Sequence, residues 1–138
     1  MKADSEELSV LMEQWNKAAI GTFGDFLGCE VVEASANKVI MTLDVKPYHL
    51  NLIGIVHGGV YATLIDSAMG LLGMIVKPEA SVVTTNLNMN YVAKAEEGRI
   101  IVTAESVHTS RKSITTQAFA RLENGELCAF GTGTFRVI

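Results

Sequence analysis

The sequence predicts an α+β domain in which an antiparallel sheet packs on one buried helix. Three observations carry this expectation. Residues 58–76 read as a helix that is apolar on nearly every face, and four strand-like runs follow it in succession without alternating with helices. The chain's 138 residues are one domain's worth, enough to bury roughly 68–70% of the extended surface around a single core.

The elements follow in chain order. Asp4 with Glu7 three residues on is a helix-start signature, and Leu8, Leu11, Met12, Trp15, Ala18 and Ala19 recur at helical spacing. An amphipathic helix is therefore expected over residues 1–21, ending at Gly21. Cys29 to Glu33 and Lys38 to Val45 are β-rich runs around Ala34-Ser35-Ala36-Asn37. In the second run Val39, Met41, Leu43 and Val45 alternate with polar side chains, so the pair reads as a hairpin. A loop at Pro47 to Gly54 leads to the central helix, Gly58 to Val76. Its Val60, Leu64, Ala68, Leu71, Leu72 and Ile75 share a face that Ile65, Met69 and Met74 widen. The remaining stripe is small: Gly59, Ala62, Thr63, Gly70 and Gly73, around the helix's one charge, Asp66. Such a stripe lets another backbone or a ligand come close. Strands are expected at Val82 to Val92, Arg99 to Val107 and Ser113 to Leu122, joined at Ala93 to Gly98 and His108 to Lys112. Asn124-Gly125 turns a tight hairpin into Leu127 to Val137. These four runs have meander spacing, and one domain over 1–138 is expected, with no repeat or linker.

Composition narrows the function. A hydrophobic content of 49%, two prolines and a mean hydropathy of +0.28 are those of a folded chain, not a disordered one. Eleven basic against fifteen acidic residues leave a net charge of −4. Nucleic acid and anionic membranes are therefore not expected partners, and a phosphate-bearing ligand would need a local basic feature. Cys29 and Cys128 stand apart, without CxxC or zinc spacing, so neither a disulfide framework nor a metal site is expected and both read as small core residues. Asp4, Glu6, Glu7 and Glu13 do not suit a secretory leader, which makes the cytoplasm the expected location. The apolar stretch Leu50 to Val76 holds Asn51, His57, Asp66 and five glycines, so no membrane span is expected.

The candidate chemistry begins with Asp66. An unpaired carboxylate in an otherwise apolar helix costs several kcal/mol unless something there needs it. No basic residue stands at i±3 or i±4, and the structural alternatives are a bond to backbone or Thr63, or a distant Lys or Arg. His57-Gly58-Gly59 opens the same helix, where unpaired N–H groups and the dipole's positive end can polarise a carbonyl oxygen. A capping role for His57 and a tight loop at the glycines are the plain alternatives. Arg111 and Lys112 form the best local basic pair, or an ordinary solvated turn. Phe23, Phe26 and Trp15 read more readily as core than as ligand wall.

The stretch NLIGIVHGGVYATLIDSAMG, residues 51–70, resembles the signature of hotdog-fold acyl-CoA thioesterases of the PaaI-like, phenylacetate-degradation type, and the likeness of element order extends over nearly the whole chain. That resemblance implies a hotdog fold, hydrolysis of an acyl-CoA, no metal and no cofactor beyond the CoA of the substrate. By position it makes Asp66 the catalytic carboxylate, as nucleophile or general base, Gly58 the N–H donor to the thioester oxygen, and Asn51 the amide that places water or substrate. Thr84, in VVTTNLNMNYV, falls where relatives commonly carry a serine near the carboxylate. His57 and Gly59 accompany Gly58 at the substrate, and Arg111 and Lys112 fall in the region that meets the CoA phosphates.

Helix geometry adds an expectation of its own. Eight residues separate Gly58 from Asp66, about 12 Å along one axis at roughly 1.5 Å each, too far to share a carbonyl. The expected assembly is a homodimer with shared active sites, and a dimer of dimers beyond it, in which antiparallel central helices bring Gly58 and Asn51 of one chain to Asp66 of the other. A hotdog protein that binds acyl-CoA without turnover, or a hydratase on the same fold, are the alternative classes.

Overall fold

The computed structural model describes residues 5–138. Asp4, half of the expected helix-start pair, lies outside them. Helix α1 runs over Ser5–Ala19 and turns Leu8 and Trp15 inward; it stops short of Gly21, whose φ of 82° breaks the helix. A short second helix that the sequence reading did not include, α2 (Phe23–Leu27), follows and closes on Gly28 at φ 89°. Strands β1 (Glu30–Ser35) and β2 (Lys38–Asp44) form the expected hairpin, with Val39, Met41 and Leu43 buried on one face. A single 3-10 turn, Pro47–His49, precedes helix α3 (Gly58–Val76), whose bounds coincide with those read from the sequence. Strands β3 (Val82–Tyr91), β4 (Arg99–Thr109), β5 (Ser113–Leu122) and β6 (Leu127–Val137) complete the chain.

All six strands form one antiparallel sheet in the order β1-β2-β4-β5-β6-β3. The meander therefore covers only β4 to β6. Strand β3 pairs with β6 at the far edge, while β4 takes β2 as its neighbour. The segment Ala93 to Gly98 is accordingly no hairpin turn. Its carbonyls serve the other end of the molecule, accepting from Val45 N at Gly98 and from Val56 N at Ala95, both within 2.9 Å.

The sheet wraps α3, whose Leu64, Ile65, Ala68, Met69 and Leu72 are fully enclosed. This explains a hydropathy and length that by themselves would suit a membrane crossing. Close contact depends on two glycines. A Cβ on Gly73 would come within 3.1 Å of Val82, and one on Gly133 of β6 within 2.6 Å of the Met69 methyl. Gly73 thus packs on this chain's own sheet and does not belong to the helix's open stripe. Leu71 and Met74 depart from the expected core in the other direction, with Met74 39% exposed.

Candidate active site

The open side of α3 carries Asp66. Its carboxylate is half-buried, not sealed in the core, and Thr84 of β3 donates its hydroxyl to Oδ1 at 2.8 Å. A fixed Oδ1 leaves Oδ2, unbonded among the described residues, facing a cleft of about 360 Å³. Ser67, Gly70, Leu71 and Met74 of α3 form one wall, with Val82 and Phe135 beside them. Trp15 and Ala19 of α1 and Thr22 and Gly24 at α2 stand opposite. Trp15 is thus both core and cleft lining, and its buried Nε1–H has no acceptor among the described residues. Phe23 and Phe26 prove to be neither core nor lining, at 63% and 76% exposed, because the five-residue α2 turns them outward. Cys29 lines the cleft as well, and burial pushes its thiol up to about 11, against a smaller opposing hydrogen bond from its own backbone. A thiol so placed stays protonated and is a poor nucleophile.

The start of α3 is organised differently. His57 accepts the Gly59 N–H on Nδ1 at 2.8 Å while its carbonyl accepts from Val60 N at 2.9 Å. The imidazole is thereby a cap with its proton on Nε2, and Gly59 has no donor left for a substrate. The Gly58 N–H alone remains unengaged among the first three, with no acceptor among the described residues. The ring of Tyr91 lies over Gly58, where a Cβ would be 3.2 Å away, and its hydroxyl donates to the Gly58 carbonyl at 3.1 Å. Asn51 Oδ1 accepts from Ile53 N and Ile55 N at 3.0 and 3.3 Å, which orders the loop and leaves the Nδ2 donors unused among the described residues. Asn51 and Gly58 share a second cleft with Tyr61, Tyr91 and Lys94. Burial, and then the Cys128 thiol beside it, push the Tyr61 phenol far above its ordinary range. The sequence-predicted residues therefore fall into two groups: Asp66 with Thr84, and Gly58 with Asn51.

Arg111 and Lys112 sit exposed in the turn between β4 and β5. Ser113, next in sequence, pairs with Arg136 of β6, which pairs with Val83 of β3. Two strand spacings, roughly 10 Å, thus separate this turn from the strand that holds Thr84. Arg136, exposed between them, adds a third cation that the sequence did not single out. A solvated, isolated arginine near the C-terminus carries no local signal; only strand register reveals its neighbours. His49, also unremarked, is buried and satisfied, bonded at Nδ1 to Lys46 N and at Nε2 to the Leu27 carbonyl, so it ties α2 to the 3-10 turn.

Comparison with known proteins identifies the family. The thioesterase superfamily profile matches residues 53–129. Acyl-coenzyme A thioesterase 13 of Mus musculus is 32% identical over 110 residues, spanning 75% of this chain and 76% of that protein. A thioesterase from Haemophilus influenzae superposes with a TM-score of 0.87 over 92% of this chain and 90% of its own, at 24% identity, a likeness of fold. A variant of the phenylacetic acid degradation protein PaaI from Thermus thermophilus gives a TM-score of 0.78 at 29% identity, over 84% of this chain and 98% of that one. A sheet wrapped on α3, an aspartate on that helix's open side and a matching profile over more than half of the residues have one common explanation: the chain belongs to the thioesterase superfamily, with the hotdog fold and thioester hydrolysis as its general chemistry.

Proposed function

We propose that this protein hydrolyses acyl-CoA thioesters at sites shared between two copies of the chain. The reading rests on one observation, the separation of Asp66 with Thr84 from Gly58 with Asn51 into different clefts of a single chain. An antiparallel pair of α3 helices would reunite them. The edge strand β3 supports such pairing: its ten residues carry no charge and no proline, the kind of open edge that invites another strand. In this reading the Gly58 N–H donates to the thioester oxygen and Asn51 Nδ2 steadies that oxygen or the water. Asp66 of the other chain, oriented by Thr84, either takes a proton from water as it adds to the carbonyl carbon or adds directly to give an anhydride that water opens. In both courses the C–S bond breaks, the CoA thiolate leaves and is protonated, and no metal or redox cofactor is required. Arg111, Lys112 and Arg136 would meet the CoA phosphates.

Thiol release over a panel of short, long, branched and aryl acyl-CoAs tests the reading. Turnover is expected on at least one member, and Asp66→Asn should lower it by roughly 10²–10⁴-fold while binding persists. Binding without turnover across the panel would favour a non-catalytic acyl-CoA binder instead.

A further inference from the structure

Helix α3 opens on two glycines in succession, Gly58 and Gly59, the residue type that loses most backbone freedom on entering a helix. Such a first turn does not hold itself, yet the proposed chemistry needs the Gly58 N–H at a fixed angle. Three hydrogen bonds supply what the glycines lack. The peptide that carries the Gly58 N–H is held at its carbonyl, where His57 accepts from Val60 N at 2.9 Å. The next peptide is held at both ends. Its Gly59 N–H donates to His57 Nδ1, and its carbonyl, that of Gly58, accepts from the Tyr91 hydroxyl at 3.1 Å. With the planes on either side held, both torsions of Gly58 are set. The two His57 bonds are local to the turn, whereas Tyr91 ties it to the sheet.

The tyrosine is built for that task. It is the last residue of β3, paired with Ala129 of β6, and the next two amides, Val92 and Ala93, both donate to the Cys128 carbonyl, at 2.8 and 3.1 Å. Its backbone is thereby fixed. Its ring is braced by buried Tyr61, one turn along α3, with 6.4 Å between centroids and 59° between planes. The same ring fills the space that a Cβ at position 58 would enter, 3.2 Å away, so it stands in for the side chain that Gly58 lacks. The hydroxyl is exposed, and the core does not depend on it. We infer that Tyr91 is a positioning residue for thioester hydrolysis: through the Gly58 peptide it keeps the Gly58 N–H aimed at the oxyanion that develops in the transition state. The inference rests on the reading that this N–H donates to the thioester oxygen, and adds the residue that aims the donor.

Two measurements on Tyr91→Phe, which removes the hydroxyl and keeps the ring, test it. Amide hydrogen exchange followed by NMR reads the turn without substrate. Gly59 and Val60 should exchange about threefold faster or more, the scale of one solvent-exposed hydrogen bond, while Leu64 and Ile65 farther along α3 keep wild-type rates. Wild-type rates at Gly59 and Val60 overturn the inference, as does a rise shared by the whole helix, the mark of a general loss of stability. In thiol release from the best acyl-CoA of the panel, kcat should fall about three- to tenfold and KM change by less than about twofold, because the oxyanion exists only in the transition state. A raised KM at wild-type kcat makes Tyr91 a substrate contact, and wild-type values of both make it structural; either overturns the inference. Absence of turnover by the wild type on every panel member is instead a failure of the functional reading, and exchange at Gly59 and Val60 then still decides whether Tyr91 holds the turn.

Discussion

Replacing Thr84 with valine removes one hydroxyl and little else. Valine keeps the shape and the strand preference of β3, and position 84 is exposed, so stability should hardly change. What is lost is the 2.8 Å bond to Asp66 Oδ1, the carboxylate's one hydrogen bond among the described residues. A bond to a charged group contributes ~1.5–3 kcal/mol when shielded. Both side chains here reach solvent, so half of that, ~0.75–1.5 kcal/mol, is the expected loss of alignment, or roughly four- to twelvefold in kcat. Thr84→Ser restores the donor and should keep kcat within about threefold. Continuous thiol detection with saturating acyl-CoA measures all three proteins, with thermal unfolding as the control. A valine variant with wild-type kcat, or a serine variant as impaired as valine, would refute the orienting role of Thr84.

Cys29 should resist alkylation: with its thiol held near 11, only about one molecule in a thousand is thiolate at pH 8, and the labelling rate should climb about tenfold per pH unit toward 11. Because the unfolded thiol ionises first, near 9, this group's contribution to stability should be intact below pH 9 and decline between 9 and 11, which unfolding midpoints against pH can follow; free-cysteine labelling rates at pH 8 would contradict the burial. Arg111→Ala/Lys112→Ala should raise KM for acyl-CoA while sparing kcat and sparing a short thioester that lacks the nucleotide. Equal damage to both substrates would make the turn purely structural.

How much could be read in advance depended on the range of the interaction. Helix α3 was legible to the residue because its apolar periodicity and its glycine start are local, and Asp66 stood out as its only charge. Helix α2 was not, since five residues with a glycine among them lie below any helix nucleus, and the element is held by its Gly28 cap and by His49 reaching the Leu27 carbonyl. Strand β3 was legible as a strand but not as an edge: alternation identifies the element, whereas its neighbour is decided by the sheet's passage around α3. The same limit governs the site. Local spacing left Asp66 unpaired because Thr84, its hydroxyl donor, lies eighteen residues away on another element and was named only through the family resemblance, and it left His57 open between cap and substrate contact because capping depends on a ring orientation. Arg136 emerged only through register with Ser113 and Val83.

Complementation between inactive chains tests the shared site most directly. Asp66→Asn and Asn51→Ala chains, carrying different affinity tags, are unfolded together, reassociated and purified through both tags, with wild type treated in parallel. In a heterodimer one site would pair two altered chains' intact halves, Asp66 from one and Asn51 with Gly58 from the other, while the second site would carry both lesions. The account predicts up to half of the refolded wild-type kcat per dimer, against a loss of roughly 10²-fold or more in the Asp66→Asn parent. Verified heterodimers no more active than their parents, beside a wild type that recovers, would contradict it and confine Asp66 to donors on its own chain.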